Sequence, residues 1–383
     1  MQTTGPGLLL PPEQRITFGK RSDFTQALHN RVDDYFAKTT YPRKDSPALY
    51  LKTLVIIGWI LGGWSGLLLS PPTLWMKLIG CVVMGLGLAA YAMNVFHDAS
   101  HGSYSHNSTL NTILSIGGDV MGISNYFWRI RHNRLHHIYT NIPGYDMEIY
   151  GDGFVRMVPT DPHLWHHRYQ HLFIWLIYPI IPIYWFLSEI KLFVEACQGK
   201  GHYGDIGIPV PKVQDVLVFV GARLVGLAFF VGLPLVMGYS LLETIAGLVL
   251  IYMSYGLVAV QVFMLAHVLE KVDFPTIDQD DRRLDEDWYL FQIRTTADFA
   301  HRSPLVCWYL GGLNYQVVHH LFPDICHIHY PNLADILDEV CAEYGVNYRR
   351  YTTTWDAIVS CYRWLKSMAQ TPLDPGVPAS SSV

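Results

Sequence analysis

The stretch Asn94-Val-Phe-His97-Asp-Ala-Ser-His101 decides how the rest of the chain is read, because it sets two histidines and an aspartate at the end of an apolar run. Leu74 to Val95 is almost wholly apolar and long enough to cross a bilayer, so ionisable groups at its end need a partner or a ligand. On an α-helix, a separation of four residues stacks His97 over His101 on one face, where both can converge on one ion. His132-Asn-Arg-Leu-His136-His137 repeats that spacing and adds an adjacent imidazole; Gln316-Val-Val-His319-His320 ends on a second adjacent pair. Adjacent side chains on a helix diverge by about 100°, so each member of such a pair can serve a different ion.

His267 ends a later apolar run as Leu-Ala-His and would reach the same surface. His97, His101, His132, His136, His137, His267, His319 and His320 then make eight imidazoles, with Gln316 as a weaker ninth ligand. One zinc ion takes only three or four ligands, so the count favours two ions of higher coordination. Imidazole suits iron, copper and zinc alike, so residue type alone leaves the metal open. Asp98, Asp146 and Glu148 are candidates to accept the second N–H of a ligating ring. His106, His163, His166, His202 and His301, taken singly, read as loop or interface histidines.

Composition agrees with a membrane protein: of 383 residues, 50% are hydrophobic and only 15% charged, and mean hydropathy is positive at +0.18. A net charge of −5 with dispersed basic residues gives no reason to expect a nucleic-acid partner. The six cysteines include no C-x-x-C pair, which argues against a disulfide framework, a thiolate site or an iron–sulfur cluster.

Four apolar runs are expected to span the bilayer as two hairpins, at about 51–69, 74–95, 213–237 and 241–267, with Pro71-Pro72 and Gly238 at their tips. Residues 1–50 read as a polar cytosolic lead-in, 51–368 as the membrane domain, and 369–383 as a disordered Pro/Ser-rich tail. Leu172 to Leu187 is short and contains Pro179 and Pro182. A full crossing there would put the histidine clusters on opposite sides, so it is placed at the interface or as a re-entrant segment. Arg43, Lys44, Lys52, Arg129, Arg131 and Arg134 flank the first hairpin on one side, which puts both termini and the clusters in the cytosol. The expected fold is an all-α, multi-pass integral membrane protein: four transmembrane helices in two hairpins, interfacial or re-entrant helices, and a cytosolic helical cap holding a di-metal site.

At the histidine clusters the sequence resembles the membrane fatty acid desaturase family, whose three boxes read H-D-x-x-H, H-x-x-x-H-H and H/Q-x-x-H-H. The glutamine form of the third box looks like the front-end branch, which inserts double bonds on the carboxyl side of an existing one. Tyr139-Thr-Asn-Ile-Pro143, Thr295-Thr-Ala-Asp298 and Leu321-Phe-Pro-Asp-Ile-Cys-His-Ile-His-Tyr-Pro331 are similar to bacterial members, and the resemblance covers roughly Phe18 to Met368. It implies an O2-dependent desaturase with two iron ions, which zinc can replace in purified protein, removing one hydrogen from each of two adjacent acyl carbons while O2 leaves as water. The acyl chain, on coenzyme A, a carrier protein or a lipid, would lie in an apolar tunnel for which Tyr126, Trp128, Tyr255 and Tyr315 are lining candidates. No His-Pro-Gly-Gly haem motif occurs, so electrons are expected from a separate protein such as ferredoxin or cytochrome b5. Acyl hydroxylases and acetylenases share the boxes and are the alternative reading. A membrane zinc receptor or amidase is the rival of another class.

Overall fold

The structure, a computed structural model, describes residues 10–11, 14–71, 73–278 and 280–370. Helix α1 (Asp23–Lys38) starts where the Ser22 side chain accepts the Thr25 N–H, and it buries Phe24, Leu28 and Val32. Its apolar stripe packs in one cluster with Leu333, Leu337 and Val340 near the chain's other end, so α1, within the expected polar lead-in, is docked against the body.

Helix α2 (Pro47–Leu69) begins four positions earlier than the apolar run, because Pro47 supplies the fixed φ that suits a first helical turn. Helix α3 (Leu74–His101) continues past its expected end at 95. Its α-helical part gives way at Ala92–Phe96 to a π-helical turn and then resumes over His97–His101. The first histidine cluster is thus the last turn of the span itself. Helix α4 (Ser108–Val120) and the short α5 (Asn125–Ile130) lead into a second π-helical turn, Arg131–His136.

Helices α6 (Gln170–Ile177) and α7 (Ile181–Cys197) occupy the proline-interrupted segment, and the pair is bent by 92°. Helix α8 (Val213–Val236) and helix α9 (Leu241–His267) bring to four, among the described residues, the helices long and apolar enough to cross a membrane. Only 22% of the apolar window of α8 is buried, so its outer face leaves the apolar Val220, Leu224 and Leu227 exposed, as suits a helix facing an apolar medium. Gly85 lets α3 lie against α9: a Cβ there would come 2.4 Å from the Ile251 carbonyl oxygen.

Beyond α9 the chain turns through α10 (Trp288–Thr295), α11 (Pro304–Tyr309), α12 (Gln316–Leu321), α13 (Tyr330–Tyr344) and α14 (Thr354–Gln370). Asp298–Phe299 pairs in parallel with Arg350–Tyr351, which ties the stretch before α12 to the stretch before α14. Of the tail expected over 369–383, Ala369 and Gln370 still belong to α14, and residues 371–383 lie outside the described residues.

Candidate metal centre

Three helix ends and one short helix deliver histidines to one place: the end of α3, the π-turn after α5, the end of α9, and α12. His97, His101, His132 and His319 form one group, and His136, His267 and His320 a second; within each, one ring nitrogen per residue lies within 4.8 Å of the others. All seven except His101 are buried. His137 stands between the groups, its ring 4.6 Å from both His101 and His319 and stacked at 4.4 Å on His320.

The π-turn sets this partition. A π-turn closes at i+5, as the His137 N–H to His132 carbonyl bond at 3.1 Å shows. His132 and His137 are therefore brought together, with Nε2 atoms 3.2 Å apart. The α-helical expectation that His132 and His136 share one ion is corrected: the two rings fall in different groups. His319 and His320, adjacent on α12, also fall one to each group.

Contacts on the far side of the rings hold their orientation. Asp146 accepts, so His136 donates from Nδ1 at 2.9 Å, and its Nε2 is the ring nitrogen without a hydrogen-bond partner. Burial opposes the charge on Asp146, but His136 and the N–H groups of Asn141 and Glu148 outweigh it and hold the carboxyl below its usual range. His320 donates from Nδ1 to Gln292 Oε1 at 2.9 Å, and His319 Nδ1 meets the Tyr330 hydroxyl at 3.1 Å. Burial first, then neighbouring imidazoles, pushes His132, His137, His319 and His320 well below the usual histidine range, so these rings are neutral.

The rings fit a metal. His97 Nδ1, His101 Nε2, His132 Nδ1, His136 Nε2, His137 Nδ1, both nitrogens of His267, His319 Nε2 and His320 Nε2 are buried without a hydrogen-bond partner. So many orphaned nitrogens in one place would be costly unless an ion takes their lone pairs. Gln316 stands beside His267.

The match to known proteins has the same scope. The model of the family described as "Fatty acid desaturase" matches residues 72–352. The chain belongs to this family. Among its relatives, this desaturase is 45% identical to the "sn-1 linoleoyl-lipid 6-desaturase" of Arthrospira platensis over 94% of its own length and 96% of the relative's. It is 45% identical to the protein of the same name from Synechocystis sp., over 93% and 98% of the two chains. With the "Acyl-lipid (8-3)-desaturase" of Physcomitrium patens it shares 30% over 92% and 73%. The chain is thus an oxidoreductase of acyl chains, a membrane protein with a candidate metal centre.

Several expected residues of the desaturase stand elsewhere. Glu148 does not meet a histidine: its Oε1 accepts from Arg131 Nε at 2.9 Å, because the buried guanidinium is the nearer and stronger partner. Asp98 Oδ2 accepts from His327 Nδ1 at 2.8 Å, while Oδ1 is 3.7 Å from His97 Nδ1. His327 Nε2 in turn accepts from Lys52 Nζ at 2.9 Å, so a buried line runs from α2 to the first cluster. Of the aromatic candidates, Trp128 packs on the His132 ring at 4.4 Å. Tyr126 bonds to the Pro209 carbonyl, Tyr255 is buried beside Tyr252 at 6.4 Å, and Tyr315 reaches the His301 carbonyl at 2.5 Å.

Sequence reading missed Gln292, Tyr330, His327 and Lys52. Tyr330 and His327 lie inside a stretch whose family likeness was legible, which was the only signal for them. Asn141 was legible in the same way; with φ at 59°, it donates to the carbonyls of His267, Asp273 and Thr295 and so anchors the second cluster to the end of α9.

Proposed function

We propose that this desaturase is a front-end acyl-lipid enzyme that inserts a double bond between the carboxyl end and an existing double bond, on an sn-1 chain as the names of its two cyanobacterial relatives state. The observation that carries the reading is the pair of histidine groups in a chain that aligns with those relatives almost end to end. Eight histidines and Gln316 would hold two irons; when bound, that centre supplies oxidation by O2, with two electrons and two protons taken up from outside and two waters released per double bond.

The chain's own contribution is placement. Asp146 and Gln292 hold the His136 and His320 rings with Nε2 free, and Trp128 lays an apolar face against His132, where an alkyl chain would pass. Burial of the site keeps bulk water from the reacting carbons. The excess of basic residues beside the first hairpin supports a cytosolic centre, where a separate reduced protein such as ferredoxin or cytochrome b5 would deliver electrons.

The test is gas chromatography with mass spectrometry of total fatty acids from cells expressing the intact protein or His320→Ala, with derivatisation to locate unsaturation. A new double bond nearer the carboxyl end than an existing one, absent with His320→Ala, is the expected result. A hydroxyl or triple bond instead would assign the chain to another reaction of the family.

A further inference from the structure

Thr295-Thr-Ala-Asp298 contains no metal-ligand candidate, yet it touches the carriers of both histidine groups. The Thr295 carbonyl accepts from Asn141 at 3.0 Å, and the Ala297 N–H donates to the Ala266 carbonyl, next to His267, at 3.0 Å. The Asp298 N–H is held by the Arg349 carbonyl at 3.0 Å, and the Phe299 N–H by that of Asn314 at 3.0 Å. Asp298 is fully buried. Its Oδ1 accepts from the Val317 N–H, in the first turn of α12, at 2.7 Å. Its Oδ2 accepts from His301 Nε2 at 2.8 Å and from the Tyr348 hydroxyl.

Helix α12 needs such an anchor. It has six residues, and Tyr315, its N-cap residue, makes no side-chain cap bond. A helix this short is unstable alone, and its first N–H groups have no partners within it. The Asp298 carboxylate supplies the missing acceptor from nineteen positions away, and it is itself held by two donors and a strand pair. His319 and His320 follow Val317 within one turn, so the direction of that one N–H sets where both rings point.

We propose that Asp298 is the positioning residue of the third histidine cluster: its bond to the Val317 N–H orients α12 so that His319 and His320 each reach their own group. The proposal rests on the reading that these groups hold metal. Asp298 contacts none of the histidines in the two groups through its side chain, and its effect passes through α12.

The experiment compares wild type with Asp298→Ala, Asp298→Asn and Tyr348→Phe, each purified in detergent, loaded with ferrous iron and checked for monodispersity. Metal per chain is counted by plasma mass spectrometry, and the Mössbauer spectrum, kcat and KM are recorded. Asp298→Ala is expected to lose metal, broaden the spectrum and lower kcat by roughly 10–100-fold with KM unchanged, as losses of this kind do around metal ligands. Asp298→Asn keeps an acceptor for Val317, and Tyr348→Phe leaves the Val317 bond intact, so both are expected to retain two metals and a spectrum like wild type. A folded Asp298→Ala with full metal content and kcat overturns the proposal. So does an Asp298→Asn that loses metal like the alanine variant, and because it fills the same volume it decides the matter even where Asp298→Ala fails to fold. A wild type that binds fewer than two ions fails the functional reading instead, which the metal count separates from failure at Asp298.

Discussion

Replacing Gln292 with leucine removes the bridge between the second and third histidine clusters, and the structure says what that should cost. Gln292 Oε1 accepts from His320 Nδ1 at 2.9 Å and from Thr140 Oγ1 at 2.9 Å, while Nε2 donates to the His137 carbonyl at 3.0 Å. Gln292, Thr140 and His320 are fully buried, so water does not readily replace the lost partners. Thr140 Oγ1 also lies 2.7 Å from the His136 carbonyl and 3.2 Å from His320 Nδ1. In Gln292→Leu the hydroxyl can donate to His136 and accept from His320, which leaves mainly the His137 carbonyl unpaired. To the extent that bound metal holds the His137 carbonyl in place while the free protein relaxes it to a new partner, one orphaned group costs up to about 1–3 kcal/mol of binding, or up to roughly 5–150-fold in metal affinity at about 1.4 kcal/mol per factor of ten. Thr140→Val alone should cost less, because Gln292 still holds His320. The double variant orphans both groups and should cost more than the two single losses added together. Competition against a chromophoric chelator measures the metal affinities, with product yield as a second reading. Unchanged affinity in Gln292→Leu, or strict additivity in the double variant, would refute the argument that these two residues hold one ring between them.

Other outcomes follow from the same network. Because His132, His137, His319 and His320 sit in the fold well below the usual histidine range, the unfolded chain binds protons that the metal-free fold refuses. Stability is therefore retained above about pH 6.5 and falls below it, by up to about 1.4 kcal/mol per group for each pH unit, and bound metal should oppose the fall. Thermal midpoints of apo and loaded protein between pH 7 and 5 test this; an apo midpoint independent of pH contradicts the neutral-ring assignment. Lys52→Met should leave His327 Nε2 without its donor and lower the apo-protein midpoint by an amount matching about 1–3 kcal/mol. An unchanged midpoint would mean that the Lys52–His327–Asp98 line does not stabilise the fold.

The glutamine at 292 shows why part of the centre was hidden. Nothing in Leu290-Phe-Gln-Ile293 marks that residue, and it acquires a role only because α10 packs beside α12 and the second cluster. The same holds for Lys52, which as sequence is a basic residue near a membrane-span end and in the fold is buried against His327.

The sequence by itself determined the four apolar runs long enough to cross a membrane, the clustering of histidines and the family, because hydrophobic run length and clustered imidazoles are local properties that no distant contact can alter. Only the tertiary structure decided which histidines stand together. A π-turn differs from an α-turn by one residue of closure, which brings His137 to His132 with ring nitrogens 3.2 Å apart, while His136 joins the group of His267 and His320. It likewise decided which groups hold the rings, with Glu148 taken by Arg131, and Gln292, Tyr330 and Asp298 recruited from segments far along the chain. Buried polar groups must all find partners, and which partner lies within reach is a property of the packed whole.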